Sequence, residues 1–161
     1  KALNQLISHH AVIFQPEKLR FWVSANPYQE GEFVCYDLKK VFTEAPLLKS
    51  PVKLNEETLT VPADSFLLSS DWKKFLYWRE LKTQIRAAAK AKKMLENENH
   101  LMNEFVDANP EFWETYFEVA NYYKAGGNNE KAKRGFELAL TKEINDTHEA
   151  DKIREELKEL K

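Results

Sequence analysis

Along residues 10–38 the apolar positions keep a strand rhythm. Ala11-Val12-Ile13-Phe14 and Leu19-Arg20-Phe21-Trp22-Val23 are rich in branched and aromatic side chains. They flank Gln15-Pro16-Glu17-Lys18, so the pattern predicts a β-hairpin with its turn at the proline. After a loop at 26–31, Glu32-Phe33-Val34-Cys35-Tyr36 alternates well enough to predict a third strand. Three such strands make a small antiparallel sheet or the edge of a larger one. A short helix is expected over 37–42. Beyond it Pro46, Pro51 and Pro62 mark an irregular connector, with 58–61 briefly extended. The expected organisation is a β-rich segment at 1–45, a connector at 46–70 and a helical region at 71–161.

In that last region the period changes to 3.6. Ser70 and Asp71 offer N-cap chemistry, and Trp72, Phe75, Leu76, Arg79, Leu81 and Ile85 recur at helical spacing, predicting a long helix that runs into the nineties. The stretch 86–93 favours helix but is weakly amphipathic, so much of its circumference should face solvent. A break is expected at 97–100. Leu101, Met102, Phe105 and Val106 then resume an apolar stripe until Asn109-Pro110 ends it. Over 113–142 follows a pair of helices whose landmarks, Tyr116, Val119-Ala120, Tyr123, Ala132, Phe136 and Ala139, fall at the spacing of a tetratricopeptide repeat. Small Ala120, Ala132 and Ala139 would let the helices approach, while Gly126-Gly127-Asn128-Asn129 would supply left-handed backbone angles to the turn. Ile144 stands where that repeat usually has its closing proline. A single repeat cannot bury both its faces. The helix ending at Val106 and a final one over 148–160, with Ile153, Leu157 and Leu160 on one edge, are the expected covers.

Composition agrees with a folded, mainly helical chain. Of 161 residues 43% are hydrophobic, with only 4 Gly and 6 Pro. Lys plus Arg number 24 against 26 Asp plus Glu, leaving a net charge of -2 and no global field to draw nucleic acid or an anionic membrane. No apolar run approaches the roughly 20 residues of a spanning helix. Cys35 is the single cysteine, which removes an intramolecular disulfide and any paired-thiolate zinc site. Because the chain starts at Lys1, directly in structured sequence, it is expected to be cut from a longer protein.

Few residues offer chemistry. His9 and His10 are the polar candidates, as a general base or metal ligand beside Asp37 or Cys35. Neighbours at the start of a strand face opposite ways, however, so a surface or hydrogen-bonded role is the expectation. Cys35 sits among apolar strand residues with no base nearby in sequence and is expected to act as a small hydrophobe. The basic run 86–93 lacks interleaved aromatics that would stack on bases, so it is expected to be a solvated helix face. Trp72, Trp78, Trp113, Tyr122 and Tyr123 stand at helical spacing and are assigned to the core rather than to a ligand groove. No glycine-rich phosphate loop, Ser-His-Asp order or zinc motif occurs, and no cofactor is called for.

The segment Ser8-His9-His10-Ala11-Val12-Ile13-Phe14, then Phe21-Trp22-Val23-Ser24, then 26–38, from Asn26-Pro27-Tyr28 through Phe33-Val34-Cys35-Tyr36-Asp37-Leu38, resembles the late part of the acyl-coenzyme A:aminopenicillanic-acid acyltransferase family of N-terminal-nucleophile hydrolases. That resemblance implies strands of an αββα sandwich followed by a helical tail with one tetratricopeptide-like hairpin. It also implies a nucleophilic Cys exposed as a new amino terminus by self-cleavage, acting on an amide bond with its own α-amine as base. Lys1 is not such a nucleophile and Cys35 lies in a late strand, so the catalytic half would lie upstream and no residue here takes a catalytic role. The implied partners are that upstream part and, through the helical region, a second protein; nucleic acid and a membrane span are not expected. The alternative is a non-enzymatic, tetratricopeptide-like interaction module.

Overall fold

A computed structural model describes residues 10–27, 29–47 and 53–160. The fold class is α+β, a short antiparallel sheet followed by a helical region. The chain divides into two compact units, one ending at Ser69 and the other starting at Ser70.

The first unit is built on a sheet in the order β1-β2-β3, with β1 at Val12–Gln15, β2 at Arg20–Ser24 and β3 at Phe33–Asp37. Pro16 opens a single 3₁₀ turn, and Leu19 takes a left-handed φ of 54° to bring the chain into β2. Both pairings are antiparallel, aligning Val12, Val23 and Val34 in one row and Phe14, Phe21 and Tyr36 in another. Directly opposed residues share a face and alternate residues do too, so these six apolar side chains occupy one face. Ile13, Trp22 and Cys35 lie on the other. Asp37 ends β3 and starts helix α1, Leu38–Glu44, by accepting from the Lys39 N–H at 3.0 Å.

The connector belongs to this unit and is less irregular than its prolines imply. Residues expected to be extended at 58–61 instead form a 3₁₀ turn at Glu57–Leu59, after which Val61 bridges Phe33. The Trp22 Nε1–H donates to the Leu59 carbonyl at 2.8 Å, and Cys35 beside it is fully buried. The connector therefore covers this face around Trp22 and Cys35, while Ile13 at its β1 end stays half-exposed.

The second unit holds α2 at Ser70–Ala91, α3 at Glu98–Ala108, α4 at Trp113–Ala125, α5 at Asn129–Leu140 and α6 at Thr147–Glu159. The break between α2 and α3 comes earlier than the expected 97–100. Lys92 and Asn97 both adopt left-handed angles, and the chain between them is held by Tyr122, whose hydroxyl accepts from the Leu95 N–H at 2.8 Å. Helices α4 and α5 form the predicted hairpin, in which Ala120, Ala132, Phe136 and Ala139 are completely buried and Tyr123 nearly so. Of the turn residues only Gly127 is left-handed, at φ 77°. Asn128 serves instead as the N-cap of α5, accepting from the Lys131 N–H.

The core of this unit is an aromatic stack. Trp78 lies parallel to Phe105 at 5.6 Å, Phe112 meets Trp78 edge-on at 5.5 Å, and Phe117 abuts Phe136 at 5.8 Å. The Trp78 Nε1–H donates to Thr115 Oγ1, which donates to the Asn109 carbonyl, so the buried indole and hydroxyl are both satisfied. Helices α2 and α3 pack on α4 from one side, and α6 lays Ile153 against the hairpin from the other. The final helix covers the hairpin as expected, but the other main cover is α2, with the expected helix α3 in a smaller part.

Candidate functional site

His10 is exposed and lies just before β1, whereas His9 falls outside the described residues. Extending the β1–β2 register places His10 level with Ala25, while Asp37 shares a row with Arg20 and Gln15 at the other end of the sheet. Five residues of strand separate the two rows, about 17 Å. Asp37 is engaged elsewhere: its carboxylate accepts from Arg20 Nε at 3.2 Å. Partial desolvation pushes its pKa up, but the Arg20 bond and the N–H groups of Lys39 and Lys40 outweigh this and hold it below the ordinary value. The structure therefore does not join His10 and Asp37 in one site.

Cys35 is fully buried, and burial raises its thiol pKa against the smaller opposing effect of Arg20. A neutral thiol inside a closed sheet face is neither a nucleophile nor a metal ligand. Among the described residues no group of three or more His, Cys, Asp or Glu side chains is arranged to hold a metal ion.

In the helical unit the aromatic candidates divide by depth: Trp72, Trp78, Tyr122 and Tyr123 are buried, and Trp113 is half-buried against the core. Helix α4 runs through the centre of the unit, and every residue from Trp113 to Ala125 is at least half-buried. Its polar stripe is occupied by neighbours. Glu114 accepts from Lys82 Nζ at 3.1 Å and from Arg86 at 2.8 Å, and nearly buried Glu118 accepts from Arg86 Nε at 2.7 Å. On the α6 side Lys124 donates to Glu156 at 2.5 Å and to Glu159 at 2.7 Å. These bonds raise the pKa of both cations: for Arg86 chiefly the Glu118 bond, for Lys124 the Glu156 and then the Glu159 bond. The first cation of the basic run is thus a fixed strut between α2 and α4, and Ala88 within the run is buried. A surface depression of about 600 Å³ beside Leu95 and residues 97–100 holds one carboxylate, Glu98, and one imidazole, His100. The carboxylate accepts from the Tyr122 hydroxyl and pairs with Lys131, and the imidazole pairs with Glu104. Glu98 thus ties α3 to α4 and α5, and the His100 pair lies within α3.

The unsatisfied surface lies on the sheet. Val12 and Phe14 are 46% and 70% exposed, and Phe21, Val23, Val34 and Tyr36 are each only half-buried, so none of the six apolar residues on that face is buried. Phe14, Phe21 and Tyr36 form a stacked ladder across it, at 6.3 and 5.1 Å. The edges differ. Outside β3, Phe33 exchanges two hydrogen bonds with Val61, the Cys35 carbonyl accepts from the Glu56 N–H, and the Cys35 N–H reaches Thr60 Oγ1. Outside β1 no main-chain hydrogen bond is made by the described residues. Sequence analysis assigned these strands but missed the open face, although its signal was present in Val12, Phe14, Phe21, Val23, Val34 and Tyr36.

No helix among the described residues is long and apolar enough to cross a membrane. Comparison with protein families, with characterised proteins and with solved structures finds no match to this chain.

Proposed function

We propose that this chain is the carboxyl-terminal, non-catalytic portion of an enzyme that hydrolyses or transfers acyl groups at amide bonds through an N-terminal nucleophile. The observation that carries the reading is the sheet face of Val12, Val23, Val34, Phe14, Phe21 and Tyr36, none of them buried. Contiguous exposed apolar surface marks a site that packs against something else, and in the reading proposed the covering layer belongs to the catalytic part. The strand segment that resembles the acyltransferase family supplies the reaction class, and the burial of Cys35 removes the one thiol as a nucleophile. The helical unit acts as a tail whose hairpin holds its own flanking helices. Its alternative use as a binding module is weighed down by α4, where Glu114, Glu118 and Lys124 are already paired within the unit.

The test is an amide-hydrolysis assay on two proteins: these 161 residues, and the longer natural polypeptide that includes sequence upstream of Lys1. The first should be inactive, and the second active with a Cys at a newly exposed amino terminus detected by mass spectrometry. Hydrolysis by the 161 residues alone, abolished by Cys35→Ala, would overturn the reading.

A further inference from the structure

We draw no further inference here: the strongest candidate, the apolar sheet face of Val12, Phe14, Phe21, Val23, Val34 and Tyr36 with the edge of β1 beside it, carries nothing more because nothing in the structure shows what covers it.

Discussion

Glycine at 135 sets how closely α4 and α5 approach. A Cβ built there would stand 2.9 Å from the Cβ of Ala120 and 3.1 Å from its Cα, closer than side chains normally approach backbone. Ala120 is itself fully buried and fixed by the helix around it, so the clash cannot be relieved by a rotamer change. Gly135→Ala improves helix propensity by about 1 kcal/mol, yet overpacking a filled core costs about 1–3 kcal/mol. The expected net effect is destabilisation or at best neutrality, measurable as a lower urea midpoint with unchanged slope. A clear stabilisation would mean the helices can separate freely. The small-residue signature at Ala120, Ala132 and Ala139 was legible because it recurs at fixed spacing. Gly135 was not, because its requirement arises only when a second helix lies across it. His10 shows the same limit in reverse: its chemistry is visible in sequence, but its separation from Asp37 depends on strand register.

At the scale of elements, α2 is held to α4 by Arg86, one residue of a basic stretch whose lysines, Lys90, Lys92 and Lys93, are exposed to solvent as expected. Glu118 is 4% exposed, and its carboxylate needs a donor. Arg86→Met keeps the aliphatic packing but leaves that carboxylate without its bond from Arg86. The expected cost is about 1–3 kcal/mol, moderated because the Arg86 side chain is 51% exposed. Adding Glu118→Gln should recover part of the loss, and a double-mutant cycle by chemical denaturation measures the coupling. Strict additivity of the two changes would refute the strut. Helix α2 also repeats the apolar spacing of α4: Trp78, Leu81 and Ile85 match Tyr116, Val119 and Tyr123 in their intervals. Lys82 stands where α4 has small Ala120, which conceals the likeness. Strands and helices were legible from periods of 2 and 3.6, whereas the early end of α2 depends on Tyr122 reaching Leu95 from another helix.

For the molecule as a whole, the two units differ in what they bury. Apart from Trp72, every buried apolar side chain of the second unit belongs to one contiguous core running from Trp78 to Ile153. Burying a large side chain contributes about 1.5–3 kcal/mol, so Trp78, Phe105, Tyr122, Phe136 and Ile153 together contribute about 8–15 kcal/mol towards the far larger ordering entropy of a helical domain. In the first unit Cys35 is the sole fully buried hydrophobic residue among those described. Phe14, Phe42, Leu47 and Leu68 there are each at least 70% exposed, apolar area that a small sheet needs covered. Stability should therefore be divided unequally. Residues 70–161 expressed alone are expected to keep a cooperative helical melt, since their core is complete within the unit. Residues 10–69 alone should show no cooperative transition and should bind a hydrophobic dye such as ANS. Circular dichroism against temperature on the two pieces decides the matter. A cooperative melt of 10–69 at low, monomeric concentration would show that the open sheet face needs no cover, removing the main support for an upstream layer.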